Sequence, residues 1–277
     1  MKYISCLKEK KAKHEKIVML TAYDVITAKI LDKIGIDVIL VGDSYGMVKL
    51  GYENTLPVTM DEMLIITKAV SRGVNESIII ADMPFLSFHI SNDDAVRNAG
   101  IFLKETKAQG VKIESYEGNL ELIKKIIKAD IPVMGHIGIT PQSIYRLGGY
   151  KIQGKTAESA KKLFNLAKNL EDIGCFAIVL EGIVSEVSQK ITESLKIPTI
   201  GIGAGPYCDG QVLVIDDLLG LNPDFIPKHT KRYADLYNMI RESVLNFKKD
   251  VVSGKFPEEV NYSKMAPEEL KKFKGSS

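Results

Sequence analysis

The sequence predicts an α/β fold in which eight parallel strands alternate with helices, the number that closes a (β/α)8 TIM barrel. Three observations carry that expectation. Short β-branched apolar runs recur eight times along the 277 residues. Amphipathic stretches of helical period lie between most of them. The runs are continuously apolar rather than alternating, as in strands of a parallel sheet covered on both faces. An open doubly wound sheet has the same pattern, because closure is not written in any one segment.

The elements follow in order. The run IVMLTAYD (17–24) ends in Asp24, which reads as the N-cap of VITAKILDKIG, and Gly35 is expected to end that helix in the left-handed region. DVILVGD (37–43) leads into a polar loop, after which Thr59 caps MDEMLIITKAVSRG. In SIIIADMP (77–84) the proline delays any helix until Ser91, the expected cap of DDAVRNAGIFLKETKAQG, with Gly110 as its expected left-handed end. VKIES (111–115) precedes Asn119, a candidate cap for LELIKKIIKAD. PVMGHIGI (132–139) runs into TPQSIYRLGGYKIQGKT (140–156), too long and polar for a simple connector and expected to be a lid or binding loop. AESAKKLFNLAKNLEDIG ends at Gly174, followed by CFAIVLEG (175–182), SEVSQKITESLK, PTIGIGAG (198–205) and QVLVIDD (211–217). A helical extension begins near residue 229, and the tail LKKFKGSS is expected to fray. No linker-like boundary interrupts residues 1–277, so one domain is expected.

Composition narrows the classes of function. The formal net charge is +2 and no basic stripe is visible, which argues against a nucleic-acid partner. The start is too polar for a secretory signal, and no apolar run approaches the roughly 20 residues of a membrane span, so no membrane association is expected. Cys6, Cys175 and Cys208 are too dispersed for a metal-binding pair, and three cysteines cannot all pair within one chain; a reducing cytoplasmic location is the simplest reading.

The strand ends carry the chemistry. They supply Asp24, Asp43, Asp82, Glu114, His136 and Glu181, then a glycine cluster at 201–205, then Asp216 and Asp217. In a barrel the carboxyl ends of all strands meet on one face. Capping accounts for Asp24, and Asp216 and Asp217 could start a turn. It accounts less well for Asp43, Asp82 and Glu114. Two carboxylates about 4 Å apart repel by roughly 4 kcal/mol at an effective dielectric near 20, and a divalent cation would remove that cost. An all-oxygen set favours Mg²⁺ or a similar hard ion over zinc. In VKIE, Lys112 and Glu114 share strand parity and face the same side. Ser44 could equally cap a helix, and His136 could be a core histidine. The glycines at 201, 203 and 205 do not form the dinucleotide fingerprint and are expected to let backbone approach a ligand. His14, His89 and His229 read as surface or capping residues.

The segments VGDSYGMVKLGYENTLPVT, DMPF, VKIE, GHIGITPQS, GGYKIQGK, FAIVLE, IPTIGIGAG and CDGQVLV occur in that order. Together they resemble the signature of the ketopantoate hydroxymethyltransferase family over almost the whole chain. The resemblance implies a (β/α)8 barrel of the phosphoenolpyruvate/pyruvate type, with an extra C-terminal helix. It implies transfer of a hydroxymethyl group from 5,10-methylenetetrahydrofolate to 3-methyl-2-oxobutanoate through a Mg-stabilised enolate. The product would be 2-dehydropantoate, in pantothenate biosynthesis, and the assembly a homodecamer.

By matching segment, the resemblance implies Asp43, Asp82 and Glu114 as Mg²⁺ ligands and Asp43, Ser44, Asp82 and Lys112 as keto-acid contacts. It implies Glu181 as the general base, with His136 beside the metal's water shell. The chain departs from the family pattern where Ser115-Tyr116-Glu117 precedes Gly118, and where GIVSE follows Glu181 without a proline. Other readings are a metal-dependent keto-acid lyase or mutase of the same barrel superfamily, or a non-catalytic keto-acid-binding barrel.

Overall fold

The computed structural model describes residues 2–224 and 227–275. The elements run α1 (Ser5–Ala12), β1 (Ile17–Thr21), α2 (Val25–Lys33), β2 (Val38–Val41), α3 (Tyr45–Val48), α4 (Met60–Gly73), β3 (Ile78–Asp82), α5 (Asn92–Glu105), β4 (Gly110–Glu114) and α6 (Leu120–Lys128). They continue as β5 (Val133–Gly138), α7 (Ile144–Leu147), α8 (Ala157–Asp172), β6 (Ala177–Glu181), α9 (Ser185–Ser194), β7 (Thr199–Ile202), β8 (Gly210–Leu213), α10 (Ile215–Leu219), α11 (Leu236–Val252) and α12 (Pro267–Gly275). The strands pair in sequence order and β8 pairs back to β1, so the sheet is a closed parallel barrel.

Two apolar layers hold it. Side chains pointing outward from the strands, such as Ile39, Ile79, Ile113 and Ile178, pack under the helices with Met63, Val70, Phe102 and Leu170. Inward side chains, among them Met19, Val38, Ile78, Ile80, Met134 and Val179, fill the lumen, and Leu7 of α1 closes its lower end. The helices start where capping chemistry predicts. Asp24 accepts from the backbone N–H of Ile26 and Thr27, both at 2.8 Å. The Thr59 hydroxyl accepts from Glu62 N, and the Ser91 hydroxyl from Asp94 N. Gly35 and Gly174 both have positive φ.

The structure corrects four details and gives the glycine cluster a local packing reason. Strand β8 stops at Leu213, and Asp216 and Asp217 lie in the first turn of α10. Gly110 is not a left-handed helix end but the first residue of β4, where a Cβ would meet the Pro132 carbonyl at 2.7 Å. The Asn119 side chain does not cap α6; it donates to the Glu114 carbonyl at 2.9 Å. The 201–205 glycines make room for this chain's own atoms, since a Cβ on Gly205 would meet Ser185 at 2.6 Å. The tail forms the exposed helix α12 through Gly275, and Ser276 and Ser277 lie outside the described residues. Neither α11 nor α12 buries any residue.

Candidate functional site

Strand periodicity decides which side chains reach the lumen. On β3 the inward series is Ile78, Ile80, Asp82; on β5 it is Met134, His136; on β6 it is Ala177, Val179, Glu181. The lower members are apolar core. The upper members are polar and open, with Lys112 and Glu114 of β4, into a cavity of about 740 Å³ at the carboxyl ends of the strands. Register places Asp82 beside Lys112 and Glu114 beside His136. Asp43 and Ser44, between β2 and α3, line the same cavity. All seven predicted site residues therefore share one space, and the parity argument for Lys112 and Glu114 holds.

The charges there are poorly balanced. Asp82 Oδ2 accepts from the Asp43 N–H at 3.1 Å, which brings the two carboxylates together. Burial, and next the Asp82 charge, push the Asp43 carboxyl up to about 7. Glu114 is held well above the usual carboxylate range by burial and then by the Asp43 charge. Burial opposes the charged form of Lys112, but Asp82, Asp43 and Glu114 outweigh it and hold the ammonium protonated. Its Nζ lies 3.1 Å from Asp82 Oδ1 and 3.3 Å from His136 Nδ1. An ammonium can only donate, so Nδ1 accepts and the imidazole proton sits on Nε2. Burial and the Lys112 charge also keep that ring neutral. Nε2 in turn lies 3.2 Å from Glu181 Oε2. Ser44 stands at the start of α3 without capping it, and its hydroxyl pairs with Tyr23 Oη at 2.8 Å.

These residues suit a hard cation in their chemistry. Asp82 Oδ1 is buried with the Lys112 ammonium 3.1 Å away, and the Asp82 charge acts on the nearby Asp43 carboxyl. Among the described residues, however, no three His, Cys, Asp or Glu side chains form a ready-made coordination shell. Glu114 shares the cavity, but both of its carboxylate oxygens accept from Gln142 N at 3.1 Å.

Gln142 is the residue that sequence reasoning missed. Its side-chain amide donates to Asp43 Oδ2 at 2.8 Å and to the Met83 carbonyl at 2.9 Å. One buried loop residue thus ties together the ends of β2, β3 and β4. The signal was weak: a glutamine behind Pro141 in a loop already singled out. Lys49, Tyr150 and Asp216, which also line the cavity, were not read as site residues either.

Known proteins place the fold and the sequence. The barrel resembles 2,3-dimethylmalate lyase, a PEP mutase/isocitrate lyase superfamily member, with TM-score 0.60 and 17% identity, covering 98% of this chain and 94% of that one. It also resembles the phosphoenolpyruvate phosphomutase of Streptomyces platensis subsp. rosaceus, with TM-score 0.61 and 12% identity, covering 99% and 98%. At such identities the likeness concerns the fold. Sequence relatives are much nearer. The 3-methyl-2-oxobutanoate hydroxymethyltransferase of Thermotoga maritima is 57% identical over 253 residues, 91% of this chain and 93% of that protein. The same-named protein of Carboxydothermus hydrogenoformans is 53% identical over 270 residues, 98% of both. The family model described as ketopantoate hydroxymethyltransferase matches residues 2–259, and the chain belongs to that family.

Proposed function

We propose that the protein is an enzyme that transfers a hydroxymethyl group from 5,10-methylenetetrahydrofolate to 3-methyl-2-oxobutanoate, giving 2-dehydropantoate for pantothenate synthesis. The observation that carries this reading is the joint opening of Asp43, Asp82, Lys112, Glu114 and Glu181 into one cavity, in a chain of this family. Asp43, Asp82 and Glu114 would hold Mg²⁺. When bound, the ion supplies positive charge for the ketone and carboxylate oxygens of the keto acid.

The chain's own residues do the rest. Lys112, kept protonated by three neighbouring acids, faces the substrate carboxylate. Ser44, whose hydroxyl is held by Tyr23, lines the same cavity and would contact the keto acid. Glu181 takes the proton from C3, and the C–H electron pair becomes the new bond to the folate's methylene carbon. Both bonds from that carbon to the folate nitrogens break with their electron pairs kept on nitrogen. One water supplies the hydroxyl, and the protons from C3 and from that water end on the two nitrogens. Neutral His136 keeps its Nε2 proton and, 3.2 Å from Glu181 Oε2, orients that carboxylate. Apolar Leu40, Val179 and Val212 in the cavity wall exclude water from the carbanionic centre.

The apolar, unburied residues Met239, Ile240, Val244 and Phe247 of α11 support assembly, which we take to be a homodecamer. Among the described residues no helix is long and apolar enough to cross a membrane. All three cysteines are free, which suits work in the cytoplasm. The test is direct. Keto acid, methylenetetrahydrofolate and Mg²⁺ are supplied and 2-dehydropantoate is sought by mass, with and without chelator. Product that appears only without chelator is expected; no product under either condition overturns the assignment.

A further inference from the structure

The cavity has a second wall that the keto-acid chemistry leaves unused. Asp82, Lys112, Glu114, His136 and Glu181 lie on β3 to β6. Across the mouth, on the arc of β8, β1 and β2, Lys49 and Asp216 face the same space. Asp216 is 3% exposed. Its Oδ1 receives Lys49 Nζ at 2.5 Å, and its buried Oδ2 has no hydrogen-bond partner. A buried carboxylate oxygen left bare costs free energy unless something supplies a donor. Lys49 is held in place by that ion pair and lies 5.9 Å above the Tyr23 ring. Met47, Val48, Leu213 and Val214 line the space around the pair. A five-carbon keto acid fills only a small part of about 740 Å³, so the rest awaits a larger, flatter, partly apolar occupant.

The pair presents a donor and an acceptor side by side. That pattern complements a cyclic amide edge, in which a ring carbonyl lies next to a ring N–H. The 2-amino-4-oxo ring of a reduced pterin carries such an edge, with a further amino donor beside it. We infer that Lys49 and Asp216 form the recognition site for the pterin ring of the one-carbon donor: Lys49 donates to the ring carbonyl, and the bare Asp216 Oδ2 accepts the adjacent ring N–H. The apolar side chains around them contact the faces of the bicycle. This inference rests on the folate-dependent reading above, and it assigns the co-substrate to the wall opposite Glu181.

The test compares KM values for methylenetetrahydrofolate and for keto acid in wild type, Asp216→Asn and Lys49→Gln. The expected result is a folate KM raised tenfold or more in each variant, the scale of a lost charge-assisted hydrogen bond, with the keto-acid KM moving less than twofold. Asp216→Asn changes a buried residue; if thermal melting shows that it does not fold, Lys49→Gln at the exposed end of the pair carries the test. A folate KM within twofold of wild type in the folded variants overturns the inference. So does a parallel rise of both KM values, which would mark the pair as a brace of the rim. Wild-type protein that makes no product refutes the folate-dependent function and this site with it. Product formation with an unchanged folate KM refutes this site alone.

Discussion

Strand β2 has an aspartate just outside each end, and the two are equally hidden: Asp37 is 5% exposed and Asp43 is 6% exposed. Their surroundings differ. Asp37, at the lower rim, receives Lys10 Nζ at 2.6 Å, Val18 N at 3.0 Å and Lys2 Nζ at 3.2 Å. Burial pushes its carboxyl upward, but these partners outweigh burial and hold it below the usual range. Asp43, at the upper rim, has one side-chain donor in Gln142 and another acid beside it, and is pushed up to about 7. Equal exposure therefore gives opposite outcomes: Asp43 lies deeper in the fold, under a larger burial penalty and beside another acid, whereas Asp37 lies nearer the outside with three donors on its charge. The lower rim uses charge to hold the fold. The upper rim keeps charge in excess, ready for a ligand.

The largest expected effect lies at the upper rim. Glu181→Gln should lower exchange of the keto acid's C3 proton with D₂O by at least ~100-fold while leaving keto-acid binding intact, since a positioned base contributes about that much. Proton exchange followed by NMR checks it, and unchanged exchange would remove Glu181 from its role. Next comes the lower rim. Asp37→Ala strands two ammonium groups and a backbone N–H, and should cost about 2 to 3 kcal/mol in denaturant unfolding without changing turnover per folded molecule. A variant as stable as wild type would erase the contrast between the two ends.

Asp43→Asn tests the same contrast from the other side. It should abolish transfer yet stabilise the chelator-treated protein by about 1 kcal/mol near neutral pH, because it removes a charge that the fold disfavours. The pH dependence has opposite signs at the two rims. The folded value of Asp43 is raised, so its share of stability is full below the ordinary carboxylate range and is lost as pH rises toward about 7. The folded value of Asp37 is lowered, so its share is present above the ordinary range and is lost as pH falls through the lowered value. Thermal melts from pH 4 to 7 should show a downward slope in wild type that Asp43→Asn flattens.

The smallest effect concerns Asp24, an upper-rim acid that behaves like one from below. Burial raises its carboxyl, but bonds from Thr27 N, the Thr27 hydroxyl and Ile26 N more than compensate. Asp24→Ala should cost about 1 kcal/mol, as for a lost helix cap, with no kinetic change. A kinetic defect would place Asp24 among the site residues.

Local rules were legible in the sequence. Strand parity placed Lys112 and Glu114 on one face, and side-chain chemistry marked Asp24, Thr59 and Ser91 as caps. What escaped reading depends on contacts between distant segments. Gln142 meets Asp43 across 99 positions, and Lys49 meets Asp216 across 167. Gly110 looked like a helix end because its true neighbour, the Pro132 carbonyl, lies at the entrance to the next strand, remote in sequence. Strand eight was extended too far because VLVIDD is apolar enough for either state, and the turn into α10 is set by Thr21, whose hydroxyl accepts from Ile215 N at 2.9 Å. Barrel closure itself is a pairing of first strand with last, which no local pattern encodes.

Helix α11 buries none of its residues. Most helical stability in proteins comes from packing an amphipathic face, and the homodecamer proposed above would give the apolar side of this helix a surface on other copies. Melting temperature should then climb with protein concentration, and dilution alone should loosen α11 and α12 before it disturbs the barrel.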